Sequence, residues 1–161
     1  MPAILLSPVL IVALVANGLL AGLFFVFTAA ISPGFHRVDD GTYIRAFRAI
    51  NSAILNGRFL AVFFAAPIAA LASVVLHVLR GSSAATLAVA AGTVCSVLTF
   101  GITAAGNVPL NSALARAEVR SDAQRRAARQ RFERPWNSRN LARTVSSTGA
   151  LILFATALAS D

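Results

Sequence analysis

The chain has 161 residues, 57% of them hydrophobic and only 12% charged, with a mean hydropathy of +0.74 and a formal net charge of +8. A soluble domain of this length needs far more polar surface, so the composition excludes one and points to an integral membrane protein. Four apolar runs, at residues 4–31, 59–78, 84–106 and 141–160, each approach or exceed the roughly 20 residues that cross a hydrocarbon core. They lack the alternation of barrel strands, which leaves helices. The expected fold is all-α, a single membrane domain over residues 1–161 with spans at about 4–31, 59–78, 84–106 and 138–160.

The first run is too long for a signal peptide, and no Lys or Arg precedes Arg37. It holds Asn17 near its middle and a Gly18/Gly22 pair whose spacing allows close helix approach, and it is expected to end at Ser32-Pro33-Gly34. Phe24, Phe25 and Phe27 read as wall residues. After Asp39-Asp40-Gly41, the spacing of Tyr43, Phe47, Ile50 and Ile54 predicts an amphipathic extension of the second helix, with Arg45, Arg48 and Asn51 off its apolar face. Pro67 interrupts one backbone bond within the second span, and His77 and Arg80 mark its far end. A Gly81-Ser82-Ser83 turn leads into the third span.

Pro109 is expected to end the third helix, with Asn107 capping a new one. Ser112 to Arg131 then reads as a surface helix supported by an Asp122–Arg126 pair, a helical connection before the fourth span. Pro135 suits the first turn of the last helix, with Trp136 at the interface. From there Trp136, Arg139, Asn140, Arg143 and Thr144 fall at i, i+3, i+4, i+7 and i+8, one polar stripe expected to face the bundle. His36, Asn51, Asn56, Asn107 and Asn111 belong to the same membrane depth. For any one of these groups, capping a helix end or reaching a phosphate is an ordinary role; so many together are expensive at the end of apolar spans without a use.

All fourteen basic residues are Arg, four between the first two spans, nine between the last two and Arg80 alone on the other side. The positive-inside rule then predicts a bacterial-type cytoplasmic membrane protein with both termini outside and both long connections cytoplasmic. The charge is explained by topology and anionic membrane lipids, and nothing resembles a nucleic-acid-binding module. Cys95 is single, so there is no disulfide framework.

The order of a first span ending in Pro-Gly, an amphipathic lead carrying Asn51, the stretch Asn107-Val108-Pro109-Leu110-Asn111 and the stretch Trp136 to Thr144 resembles the anthrone-oxygenase-like family of small four-helix membrane proteins. The resemblance extends over almost the whole chain, with its specific part in those two stretches. It implies oxidation of a phenolic polyketide anthrone to an anthraquinone with dioxygen as co-substrate and no organic cofactor. Such chemistry needs a base, a clamp for the substrate anion and a dry aromatic slot.

On that reading His36 is the candidate base, and Arg139 and Arg143 are the candidate catalytic clamps for the oxyanion. Asn51, Asn107, Asn111, Asn140 and Thr144 are candidate substrate-binding groups, and Trp136 is placed to stack on a planar ring. No metal site is assigned, although His36 with Asp39 or Asp40 supplies part of a ligand set and copper or iron stays open; His77 belongs to the other face, and Cys95 and Met1 have no convergent partner. The expected partners are a small hydrophobic aromatic substrate and membrane lipids, no nucleic acid, with self-association into a homo-oligomer left open. The alternative is a non-enzymatic membrane protein that binds lipid or a hydrophobic metabolite, or a subunit of a larger complex. A transporter fits less well, since Asn17 and Thr103 are the evident polar groups at the midplane.

Overall fold

A computed structural model describes residues 2–81 and 84–160. In chain order it contains α1 (Pro2–Val26), a first π-helical turn (Phe27–Ile31), α2 (Ser32–Phe35), α3 (Asp40–Ile54), α4 (Gly57–Arg80), α5 (Ala84–Ile102), a second π turn (Thr103–Asn107), α6 (Val108–Arg116) and α7 (Asp122–Ser160). Four helical stretches are long and apolar enough to cross a membrane: Ser7–Phe35, Gly57–Arg80, Ala85–Arg116 and Asp122–Ser160. They pack as a closed ring in which α1 touches α4 and α7, and α5 touches α4 and α7. Large side chains such as Ile68, Leu79, Leu87 and Val145 face outward, where lipid replaces water.

Between helices in lipid there is no hydrophobic driving force, so association rests on close packing and interhelical hydrogen bonds. Small residues supply the packing. Phe154 is fully buried against Gly92, Gly18 lies under Leu151, and Gly149 faces the Cys95 sulfur. Gly22, expected to share close approach with Gly18, meets nothing; the contact face passes through Gly18 alone. Hydroxyls supply the hydrogen bonds, as where Thr93 donates to the Ala70 carbonyl at 3.0 Å and Thr99 meets Ser146 at 2.7 Å.

Several sequence boundaries move. The first span does not stop at Ser32-Pro33-Gly34 but continues to Phe35, because a π turn widens the helix just before the proline. The amphipathic lead is not continuous with the second span. Leu55 and Asn56 leave helical geometry, and the Asn56 side chain caps α4 by accepting from the amides of Arg58 and Phe59. Asp39 caps α3 in the same way, through the Thr42 amide and hydroxyl, and these bonds hold its carboxyl below the usual range. Of the turn after α4, Gly81 adopts φ +111°, while Ser82 and Ser83, like Met1, lie outside the described residues.

Asn107 does not cap a new helix. It stays in right-handed helical geometry inside the second π turn, where the Val108 amide reaches back to the Thr103 carbonyl and the wider ring accommodates Pro109. The expected surface helix from Ser112 to Arg131 breaks after Arg116, and α7 starts at Asp122 rather than at Pro135. The start is a capping box: Gln124 Oε1 accepts from the Ser121 amide, and the Gln124 amide donates to Ser121 Oγ. Asp122 pairs with Arg125, one residue before the expected partner. With 39 residues α7 reaches about 58 Å, nearly twice the hydrocarbon thickness, so its first turns stand beyond the spans and carry the arginine-rich end.

Replacing Gly92 by Ala places a Cβ 2.7 Å from the Phe154 ring, and overpacking of that kind costs about 1–3 kcal/mol. Thermal unfolding in detergent is expected to shift down for Gly92→Ala and to stay unchanged for Gly22→Ala, where the added methyl meets open space.

Candidate functional site

Both π turns lie at the arginine-rich end, and between them is a slot of about 130 Å³. Its walls are Phe24 and Phe27 from the first span, Phe47, Ile50 and Asn51 from α3, Phe59 from α4, Thr103 and Asn111 from the third helical stretch, and Trp136 and Arg143 from α7. Aromatic and aliphatic side chains make up most of the lining, and among its polar groups Asn51, Asn111 and Trp136 are connected.

One connection is a hydrogen-bonded line. Trp136 Nε1 donates to Asn111 Oδ1 at 2.9 Å, and Asn111 Nδ2 donates to Asn51 Oδ1 at 2.7 Å. An indole N–H can only donate, so it determines which end of each amide points which way. Among the described residues the Asn51 amide nitrogen has no acceptor of its own, leaving a donor at the end of the line.

The second polar element is Arg143, 5% exposed and within the spanning region. Its guanidinium carbon sits 4.2 Å from the Phe24 ring centre and 5.3 Å from that of Trp136, and Nη2 donates to Asn140 Oδ1 at 2.8 Å. Nε has no partner, and among the described residues no carboxylate pairs with this arginine. Asn140 is held in turn, because its amide nitrogen donates to the Phe24 carbonyl at 2.9 Å and to Thr28 Oγ1 at 2.8 Å. The result is a buried cation supported by ring faces and one amide oxygen, with no negative charge beside it among the described residues. Such a site favours an anion.

Next to the slot Phe27, Phe35, Tyr43, Phe47, Phe132 and Trp136 pack ring against ring, with Phe47 and Phe132 centres 4.6 Å apart. Burial, and then the charge of Glu133, push the Tyr43 phenol above its ordinary range, so it stays neutral. Arg129 lies 4.4 Å over the Tyr43 ring and donates to the carbonyls of Phe35 and Val38 and to Asp40 and Glu133, tying the α2–α3 connection to α7.

The expected stripe on α7 is largely inward, since Trp136, Asn140, Arg143 and Thr144 are buried. Arg139 departs from it. It is exposed, packs across Gly106 and donates to the Gly106 carbonyl at 3.0 Å. Asn107 is fully buried beside the slot, bonding the Trp136 carbonyl at 3.4 Å while its own oxygen has no partner. Thr144 serves the helix interface, donating to the Asn140 carbonyl and meeting Thr28 at 3.3 Å. Trp136 is core rather than interfacial, 4% exposed. His36 stands apart. It is 63% exposed, its Nδ1 is 3.3 Å from Glu133, and it lines an open depression with Ser32 and Asn137 on the other side of α7. Asn56 is a helix cap on the surface. Among the described residues no three His, Cys, Asp or Glu side chains are grouped so as to hold a metal ion.

The anthrone oxygenase family matches residues 51–153, more than half of the chain. The chain belongs to that family. No curated protein and no solved structure matches it. The matched part is shorter than the near-complete resemblance of the sequence suggests. It starts at Asn51, contains Asn111, Trp136, Asn140 and Arg143, and leaves His36 outside. In this anthrone oxygenase family member the slot therefore draws its polar groups from the matched region, while Phe24, Phe27 and Phe47 come from before it.

Several slot residues, among them Phe47, Ile50, Phe59 and Thr103, are not singled out as site residues by the sequence. In the sequence Phe47 and Ile50 are two of four apolar positions on one helical face, and Thr103 is a midplane polar group. Arg129 was one of nine arginines in a connection, and no local signal separates it from its neighbours.

Trp136 is the only tryptophan, so its emission reports on the slot. Asn111→Leu removes the acceptor of its N–H, which is expected to shift the emission to shorter wavelength and to cost roughly 1–3 kcal/mol through the unpaired donor. Asn111→Asp keeps an acceptor and is expected to hold the wild-type emission. A wild-type spectrum for Asn111→Leu would break the hydrogen-bonded line.

Proposed function

We propose that the protein is a membrane oxygenase that binds a planar phenolic, anthrone-type substrate in the slot and oxidises its methylene carbon with dioxygen. The observation that carries this reading is Arg143, a buried guanidinium with no carboxylate partner among the described residues, set between aromatic rings at the slot wall. Family membership supports the oxygenase class.

The reaction balances as Ar2CH2 + O2 → Ar2C=O + H2O. An anthrone is a ketone whose enol is a phenol, and its anion is rich enough in electrons to reduce dioxygen. Pairing of the enolate oxygen with Arg143 favours ionisation, and the proton leaves to water. The anion then forms a carbon–oxygen bond with dioxygen at the former methylene carbon. The peroxide takes up a proton and loses water, the remaining C–H proton leaving with it, so one oxygen atom stays as the new carbonyl. Trp136 and Phe24 provide faces for the planar ring system, and the Asn51 amide offers a donor for a phenol or carbonyl oxygen. Asn140 orients Arg143, Asn107 supports the Trp136 backbone, and Arg139 braces the second π turn. His36 is left as an outer group paired with Glu133.

The proposed sidedness follows from the arginines: the end that carries thirteen of the fourteen is cytoplasmic and both termini are outside. A second reading, a protein that binds a hydrophobic anion without transforming it, is favoured by the lack of an imidazole or carboxylate among the slot's lining residues. Oxygen uptake by the purified protein with an anthrone separates the two, and only uptake above the spontaneous rate fits an oxygenase. Metal analysis of the active sample decides whether copper or iron takes part.

Arg143→Gln is expected to lower kcat/KM for the anthrone by roughly 10²–10³, the usual loss of an oxyanion partner. His36→Gln is expected to change it little. A loss of about 10²–10⁴ in His36→Gln, the size of a general-base contribution, would instead return His36 to the role of base.

A further inference from the structure

The slot is small for a fused-ring molecule. Its volume of about 130 Å³ is near the ~150 Å³ in which a cavity takes up a single benzene ring, so two or three rings fit only if a wall moves. All four spans of the packed ring of helices contribute to its walls; the remaining wall is α3, which lies outside that ring.

The two ends of α3 are held differently. At its start, Arg129 grips the preceding connection through the carbonyls of Phe35 (2.8 Å) and Val38 (2.9 Å) and the Asp40 carboxylate (3.1 Å), and just past its middle, one turn before Asn51, Arg48 donates to the carbonyls of Leu114 (2.8 Å) and Ala117 (2.7 Å). Its last turn is tied across to the bundle by one side-chain hydrogen bond, from Asn111 to Asn51. Directly after that turn the chain leaves helical geometry at Leu55 and Asn56.

The mouth of the slot is also at that end. Among the lining residues Leu55 is 60% exposed and Val108 47%, whereas Phe24, Thr103, Trp136 and Arg143 are buried. Leu55 immediately precedes the cap of α4 and Val108 lies within the span Ala85–Arg116, so the rim is apolar and adjoins two spans. Away from the mouth, Phe47, Phe132 and Leu114 close the slot off from the outer part of α7. Water-borne ligands are not favoured by a rim of leucine and valine.

We propose that the slot is loaded sideways from the bilayer: the last turn of α3 swings about Leu55–Asn56, releasing the Asn51–Asn111 bond, and admits a hydroxylated planar arene dissolved in the membrane or carrying an alkyl chain. The ring system travels inward to Arg143, and a chain, where present, stays between Leu55 and Val108 in lipid. This rests on the slot being the substrate site and is independent of the oxygen chemistry. The substrate class narrows from any planar phenol to one that resides in the membrane.

The test uses the full-length protein in lipid vesicles and reads quenching of Trp136. One ligand is a hydroxyanthraquinone bearing a hexadecyl chain, which stays in the bilayer; the other is its sulfonated analogue, which stays in water. Saturable quenching is expected from the first and none from the second, with at least a tenfold loss of apparent affinity for the first in Arg143→Gln. Val108→Phe narrows the rim and is expected to slow association several-fold with the same end point. Saturable quenching by the sulfonate, no saturable quenching by the alkyl ligand, or equal affinity in Arg143→Gln would each overturn the proposal. Quenching as expected without oxygen uptake would leave it standing and remove the oxygenase reading.

Discussion

A guanidinium buried among apolar helices without a carboxylate has to be held by something other than charge pairing, and the arginine-rich end is organised around how Arg143 is held. Two aromatic faces and the Asn140 oxygen receive it. Asn140 can offer that oxygen because its nitrogen is already committed to Phe24 and Thr28 on the first span. The position of the cation is thus tied to the packing of α1 against α7, and any loosening of that contact turns the amide and frees the charge. Removing one partner of such an arrangement is costlier than its individual bonds suggest, since what remains is an unpaired polar group in a medium of low polarity.

The two π turns belong to the same arrangement. Each widens a span at the depth of the slot, and each stands next to a proline that a regular helix would tolerate poorly. Without the second, Pro109 would end the helix, and α6 would no longer carry Asn111 to Trp136 in line with the third span. Arg139 braces this turn from outside through the Gly106 carbonyl, and Gly106 has no Cβ to obstruct it: an added one would lie 2.9 Å from the arginine side chain. An arginine expected at the chemistry therefore supports the backbone that presents it.

The aromatic cluster makes the outer wall. Tyr43, Phe47, Phe132 and Trp136 join α3 to the projecting part of α7, while Arg129 and Arg48 spend their donors on backbone carbonyls of the connecting segments. These arginines have a structural use besides any topological one. The wall is rigid at one end of α3 and lightly tied at the other, and the apolar rim lies at the lightly tied end.

Hydropathy alone determined the all-α class and the four spans, because every backbone group in hydrocarbon must be paired within its own helix and a run of about 20 apolar residues is the plain record of that demand. The inward stripe of Trp136, Asn140, Arg143 and Thr144 was legible for a related reason: helical spacing is local, and a helix keeps its faces wherever it starts. The start of α7 was not read correctly, because Pro135 suits a first helical turn, whereas the helix begins at Asp122 behind the Ser121–Gln124 capping box. What tertiary structure decided was which polar groups meet. Asn111 joins Asn51 across 60 residues, and Asn140 joins Phe24 across 116. No periodicity encodes such pairings, which arise only when the helices close into a ring. The same closure set Arg139 outside and His36 on the far side of α7, since small shifts of angle about a helix axis separate a residue that lines a slot from one that faces away.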